Sequence, residues 1–430
     1  MFDELSESVH SREPARPPGL SEEQWQALKA PNKESAVICA GAGAGKTRLL
    51  VKRVARLLKA GVAPQKIVVV TFTRKAAGEL LERLKTEVGA RGTMPTCATV
   101  HALAYAHAKK HHHQFNLVED ETLLELVEEI QPALPAGFAD LGPKELLLTI
   151  SRARESRTPE PTEQLLAGAF EELMGLRQWD DFTSVLAKGL ELPSSRATHV
   201  LVDEAQDLSE LQLAFLRHYA PTAHFWFIGD PDQSIYGFRG AHASMMHQLR
   251  ELCTGFYVLS HNYRCAQSIV HHAMNVIVNN SGRFDIKWTA VQSEAGDVRV
   301  LAFETALEEL AAAQDWLLSA PQGTRAVLGR TQAVLAPLKA QGLGAYTVHE
   351  SKGLEWDEVW VLGCEAGLLP HPMAPREEER RLFYVAMTRA KKALTMTYAY
   401  ERGVSTSHLP PPRRHPSAFL FETQALQAKS

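Results

Sequence analysis

The sequence predicts an α/β fold: two domains built on parallel sheets, the first a P-loop domain interrupted by an all-helical insertion. Three observations carry this prediction. Short apolar runs rich in β-branched and aromatic residues recur in both halves, each followed by a polar turn and a helical pattern. The first of these runs opens into the loop "AGAGAGKT" (40–47). The stretch from about 105 to 195 has no such runs and reads as helix throughout.

Taken in chain order, residues 1–18 are polar, acidic and proline-bearing, which predicts a loose tail and not a signal peptide. The first domain then supplies "SAVICA" (35–40), "KIVVVTF" (66–72), "THVLVDE" (198–204) and "HFWFIGD" (224–230). The second supplies "DVRVLAF" (297–303), "RAVLGR" (325–330), "EVWVLG" (358–363) and "LTMTYA" (394–399). Near-continuous apolar strands of this kind belong to parallel sheets covered on both faces. Between them, "ETLLELVEEI" (121–130) and "EQLLAGAFEELMGL" (163–176) place apolar residues three to four apart, as an amphipathic helix requires. The expected organisation is therefore first domain 19–104 and 196–257, helical insertion 105–195, and second domain 258–430.

Composition narrows the class. A chain of 430 residues has room for two or three cores, and its 45% hydrophobic and 22% charged content is that of a soluble globular protein. No apolar run is long enough to cross a bilayer. The five cysteines (Cys39, Cys97, Cys253, Cys265, Cys364) show no paired spacing, so neither a disulfide framework nor a structural zinc site is expected, and a cytoplasmic setting is. The histidine-rich "HAKKHHHQ" (107–114) reads as a solvated, weakly cationic helix end. A formal net charge of -4 excludes nucleic-acid binding by bulk charge, so any such contact must be a local groove.

The loop at 40–47 has what phosphate binding requires. Main-chain N–H groups of Gly41, Gly43, Ala44 and Gly45 can approach phosphate oxygens, Lys46 reaches the terminal phosphates, and the Thr47 hydroxyl suits Mg²⁺. Ala40 stands where the usual pattern has its first glycine, but the positive end of the following helix still points at the phosphate. A buried strand ending in carboxylates completes the set: in "HVLVDEAQD", Asp203 is expected to hold Mg²⁺ and Glu204 to orient and deprotonate the attacking water. The loop is thus expected to bind a nucleoside triphosphate, and the chain to hydrolyse it.

Further segments resemble one family. "LSEEQWQAL" (20–28), "AGAGAGKTR" (40–48), "VTFTRKAAGEL" (70–80), "TVHALA" (99–104), "LVDEAQD" (201–207), "GDPDQSIYGFRGA" (229–241), "LSHNYRC" (259–265), "TVHESKGLEW" (347–356) and "EEERRLFYVAMTRAKKAL" (377–394) follow one another as in superfamily 1 DNA helicases of the UvrD/Rep/PcrA type. "HPSAFL" (415–420) is similar to that family's C-terminal end. The resemblance implies two RecA-like domains with ATP and Mg²⁺ between them and single-stranded DNA, or a single-strand/duplex junction, as partner. It implies that Gln24 reads the adenine, that Arg48 and Tyr263 sandwich the base, and that Gly353 and Glu355 meet the nucleotide, Glu355 at the ribose. Gln233 would contact the γ-phosphate, with Arg264 and Arg389 as arginine fingers from the second domain. Phe72, Tyr236 and Phe238 would stack bases, with Thr73, His101, Arg239 and His349 touching bases or backbone. Phe238 departs from the tryptophan common at its position.

The implied activity is ATP-driven translocation along single-stranded DNA, 3′ to 5′. The main departure lies between "GRTQ", ending at 332, and "TVHESKGLE", beginning at 347, where the family carries a large domain, 2B. The fourteen residues "AVLAPLKAQGLGAY" leave room for a short helix and a turn. Three readings stand at this point: a motor that unwinds by itself or with a protein partner, a DNA-stimulated ATPase switch that does not move, and an RNA translocase.

Overall fold

The structure, a computed structural model, describes residues 16–89, 92–134, 136–237, 240, 244–321, 323–403 and 413–426. The expected tail therefore lies almost wholly outside the described residues. Strands follow in the order β1 (Ala36–Ala40), β2 (Ile67–Val70), β3 (Thr96–Ala98), β4 (His199–Val202), β5 (His224–Gly229), β6 (Gly255–Leu259), β7 (His261–Asn262), β8 (Thr289–Ala290), β9 (Asp297–Thr305), β10 (Arg325–Gly329), β11 (Ala345–Thr347), β12 (Trp356–Val361) and β13 (Ala390–Glu401). Eleven of them form a six-stranded sheet ordered β3-β2-β4-β5-β1-β6 and a five-stranded sheet ordered β11-β10-β12-β13-β9, while β7 pairs with β8. Every pairing in both is parallel. All eight runs read from the sequence are strands.

The first sheet is buried on both faces, and the period of two along each strand divides the two cores. Val37, Cys39, Val68, Val70, Val200, Val202 and Phe227 face one core. Ala36, Ile38, Ala40, Ile67, Val69, Leu201, Trp226 and Ile228 face the other. Because alternate side chains must leave opposite faces, only strands apolar at every position satisfy such a sheet. Each fully buried Val, Leu or Ile contributes about 1.5–3 kcal/mol, enough to fix register by itself. The second sheet repeats the plan between two further clusters. One of those clusters also takes in Ala42, Ile235 and Tyr236 of the first lobe, so the two lobes share apolar packing.

Between β3 and β4 the described residues form helices Val100–Lys110, Asp120–Ile130, Ala136–Ala139, Pro143–Glu155, Pro161–Leu176 and Phe182–Gly189, with no strand among them. Leu123, Leu126, Leu146, Ile150, Phe170 and Met174 make a separate core for this insertion. Val100, Leu103, Val185 and Leu186 instead join the first lobe's core, so the ends of the insertion are anchored in the sheet domain. Its base is pinned by Arg154, which grips Asp181 at 2.5 Å and 3.1 Å, and by Lys188 on Asp180 at 2.6 Å. In the second lobe, residues 332–347 form only the helix Gln332–Ala340 and strand β11, a tight crossover beside β10.

Candidate nucleotide cleft and strand groove

In an open parallel sheet the carboxyl ends of all strands meet along one edge, and ligands bind in the crevice there. Here β1 delivers the phosphate loop, β2 delivers Phe72 and Thr73, β4 delivers Asp203 and Glu204, and β5 delivers Asp230 and the turn Pro231–Gln233. The helix Lys46–Lys59 starts on Gly45 in the left-handed region at φ 80°, with Gly43 at φ 66°. A Cβ at Gly43 would lie 2.6 Å from the Arg264 Cβ. Glycine at 43 is thus demanded both by conformation and by the approach of the second lobe.

A cleft of about 600 Å³ lies over this edge. It is lined from the first lobe by Gly43, Ala44, Gly45, Lys46, Thr47, Arg48, Asp203, Glu204 and Gln233, and from the second by Tyr263, Arg264, Lys352, Gly353, Glu355 and Arg389. The Thr47 hydroxyl sits 3.4 Å from the Asp203 carboxylate, a pair of hard oxygen donors suited to Mg²⁺. Asp230 Oδ2 and Gln233 Nε2 are buried with no hydrogen-bond partner among the described residues. Donors, acceptors and volume therefore fit a nucleoside triphosphate with its metal.

Glu204 is held at φ 53°, ψ 42°, where few residues other than glycine settle. Such strain costs about 1–3 kcal/mol and persists only where the surroundings impose it. Its amide donates to Asp203 Oδ1 at 3.0 Å, and its carboxylate accepts from Gln206 Nε2 at 2.6 Å. Burial by itself would raise the Glu204 carboxyl, but the ammonium groups of Lys46 and Lys352 outweigh it and hold Glu204 down at about 2. Burial and the neighbouring Glu204 charge push Asp203 up to about 7. One carboxylate stays charged while its neighbour gives way, as expected of two acids crowded together.

Across the cleft, Arg389 is 2% exposed and its guanidinium donates to Gln233 Oε1 at 2.9 Å, to Val385 O at 3.1 Å and to Leu354 O at 3.3 Å. Burial and the nearby Arg264 push it down to about 10, so it is cationic at neutral pH. Arg264 pairs with Glu355 at 2.6 Å and donates to Thr388 O at 3.3 Å, while Lys391 meets Glu355 at 2.9 Å. Two of the expected nucleotide residues have protein partners of their own. Gln24 is buried and already engaged: its amide nitrogen donates to Ala44 O at 2.9 Å and its oxygen accepts from Ser21 N, capping its own helix. Gly41 lies beneath the loop against Trp288 and does not line the cleft.

On the strand side, Phe72 and Tyr236 stack on one another with centroids 4.6 Å apart and planes 22° apart. His349 lies 6.2 Å from Tyr236. Thr73 caps the helix Arg74–Val88, and with Phe72 and His101 it lines a cavity of about 350 Å³ that reaches Asp203 and Glu204. A second cavity of about 720 Å³ shares Phe72, His101 and Phe182 and adds Tyr105. Phe238 and Arg239 lie outside the described residues.

Residues 20–173 and 166–254 match the UvrD/REP helicase N-terminal domain, and residues 338–401 match the UvrD-like helicase C-terminal domain. The chain belongs to the UvrD/REP helicase family. It is 32% identical to DNA helicase II of Escherichia coli over 302 residues, which is 63% of this chain and 42% of that protein. ATP-dependent DNA helicase PcrA of Bacillus subtilis is 27% identical over 298 residues, 62% of this chain and 40% of the relative. ATP-dependent DNA helicase srs2 of Schizosaccharomyces pombe is 28% identical over 312 residues, 61% and 35% respectively. The chain thus matches under half the length of these UvrD/REP relatives.

Two side chains in this UvrD/REP site escape the sequence reading. Lys352 pairs with the Asp207 carboxylate, donates to Gln233 O at 3.0 Å, and sits 4.9 Å above the Tyr236 ring. It stands inside "HESKGLE", so a cation beside the nucleotide ligands was available as a signal. Phe182 is 56% exposed and edge-on to His101 at 5.7 Å. Its signal was an aromatic at the first helical position, directly after the Asp181 cap.

Proposed function

We propose that this chain is an ATP-driven motor that moves along single-stranded DNA from 3′ to 5′, with ATP and Mg²⁺ held between two RecA-like lobes, 1A and 2A. The observation that carries this reading is that Lys46, Thr47, Asp203 and Glu204 face Arg264 and Arg389 across a single cleft formed by both lobes. Mg²⁺ held by Thr47 and Asp203 would neutralise charge on the leaving phosphates. Lys46 binds the terminal phosphates, Glu204 accepts the proton of the attacking water, and Arg264 and Arg389 stabilise the developing charge when the cleft is closed. Gln233 reports the state of the γ-phosphate. Arg48, Tyr263 and Glu355 line the base and ribose end, and Gln24 reads adenine once its amide is released from Ala44. Phe72 and Tyr236 grip bases by stacking, supported by Thr73, His101 and His349.

The described crossover at 332–347 supports a second reading, in which the chain lacks domain 2B and leaves duplex opening to a protein partner. Both readings are tested together. ATP turnover should rise with single-stranded DNA in proportion to oligomer length, more than with matched RNA. Lys46→Ala should abolish it. Streptavidin should be displaced from the 5′ end of a biotinylated strand and not from the 3′ end. Turnover indifferent to strand length overturns the motor and leaves the switch. Unwinding of a forked duplex by the purified chain alone overturns the need for a partner.

A further inference from the structure

Between the second-lobe helix Gln267–Ile277 and β8, the chain dips back into the first lobe. Phe284 is buried in the first lobe's core, stacked on His247 with centroids 3.9 Å apart and planes 4° apart. Four residues later Trp288, 5% exposed, belongs to the second lobe's core. This short strap therefore has one aromatic in each lobe.

The strap also holds one carboxylate. Arg283 donates to Asp232 through Nε at 2.7 Å and through a terminal nitrogen at 2.6 Å, and the Trp288 indole N–H donates to the same carboxylate at 2.9 Å. Asp232 is 3% exposed and directly precedes Gln233, whose amide oxygen receives Arg389. The other end of the turn is fixed from within, since the Asp230 carboxylate accepts from Asp232 N at 3.0 Å. The six-membered ring of Trp288 lies directly under the phosphate loop, where a Cβ on Gly41 would stand 2.7 Å from its Cδ2 and 2.8 Å from its Cε3. One indole thus touches the phosphate loop with its face and the turn bearing Gln233 with its edge.

We propose that Trp288 and Arg283 are positioning residues that set Gln233 against the phosphate loop, so that strand-stimulated hydrolysis requires their hold on Asp232. The inference rests on the ATPase reading above and deepens it. A fork of two charge-assisted bonds and a third from the indole leave the Asp232 carboxylate no freedom to rotate, and the residue after it inherits that rigidity. Neither side chain lines the cleft, so neither contributes to ATP affinity by direct contact.

The test is Trp288→Phe, which keeps a ring under Gly41 but removes the N–H, beside Arg283→Lys, which keeps the charge but loses the fork. Strand-stimulated ATP turnover is measured with melting by circular dichroism. Both variants are expected to lose about 10- to 100-fold in kcat, while the KM for ATP moves by less than about threefold, because a displaced Gln233 weakens the transition state more than the ground state. A purely structural role would lower the melting midpoint and leave the kcat of the folded protein within about twofold of wild type. That result in either variant that folds overturns the proposal. A wild-type chain with no strand-stimulated turnover overturns the underlying reading, and this inference falls with it.

Discussion

Arg389→Ala is the sharpest test of cleft closure. The guanidinium is buried against three acceptors: the Gln233 side chain and the main-chain oxygens of Val385 and Leu354. It therefore already stands at Gln233, the proposed γ-phosphate sensor, without further rearrangement of its own side chain. An arginine finger supplies about 10³- to 10⁵-fold in rate, equivalent to about 4–7 kcal/mol of barrier at 1.36 kcal/mol per decade. Truncation also has a ground-state cost, because each buried acceptor left unsatisfied costs about 1–3 kcal/mol. Arg389→Lys separates the two effects: it keeps a cation in place but cannot span Gln233 and both carbonyls. Strand-stimulated turnover should rank wild type above the lysine variant and the lysine variant above alanine. Binding of a fluorescent ATP analogue should weaken much less than turnover falls, since Lys46, Thr47 and Asp203 remain. An alanine variant that folds and turns over within about tenfold of wild type would refute cross-lobe charge stabilisation.

Three further outcomes follow from contacts in the structure. Phe72→Ala removes the partner of Tyr236, and at about 1–3 kcal/mol per stacked base it should weaken single-strand affinity by about 5- to 150-fold in a fluorescence-anisotropy titration. Phe182→Ala should lose a smaller amount of the same kind if strands run over the cavity shared with His101, and unchanged affinity would remove Phe182 from the groove. Burial acts against the Asp181 charge, but the Arg154 guanidinium more than offsets it and holds this carboxyl below its ordinary value. A lowered folded-state pKa means that the stabilisation is present above the unfolded value of about 3.9 and is lost as pH falls through the folded value. Asp181→Asn leaves buried Arg154 with only the exposed Glu171, 3.0 Å from its Nε, as counter-charge and should destabilise the insertion by up to about 3–5 kcal/mol at neutral pH. Amide hydrogen exchange in helices Asp120–Ile130 and Pro161–Leu176 would report it, with the gap from wild type closing in acid.

What the sequence disclosed, and what it withheld, follows from how far apart the partners lie along the chain. Gly45, Lys46 and Thr47 are adjacent, as are Asp203 and Glu204, so their chemistry is written locally. The long strands were equally legible, because a strand buried on both faces must be apolar throughout. β3 has only three residues and opens on an exposed threonine, and β6 lies at the point where the first domain was expected to stop, so both escaped. The order of strands depends on which crossovers pack together, and no run of residues states it. Trp288, Arg283 and Lys352 act through contacts that exist only once the lobes meet. Each is an ordinary surface-type or core-type residue until Asp232, Gly41 or Asp207 is brought against it.

Those cross-lobe contacts also decide how hydrolysis could be felt by a strand. Gln233 receives Arg389 on its side chain and Lys352 on its main-chain oxygen, and Tyr236 stands three residues further along the same loop. Lys352 touches both ends of that interval, since its ammonium also lies over the Tyr236 ring. Under the proposed function, a change at the γ-phosphate would therefore have no long path to travel before it reached Tyr236. Coupling through a few packed groups with two discrete arrangements is physically sufficient. The mutual stack of Phe72 and Tyr236 is one arrangement, and under the proposed function a base between the rings would require another. Tyr236 is carried by the loop that Lys352 and Arg389 hold from the second lobe, so the ring stack and the cross-lobe contacts share one short segment.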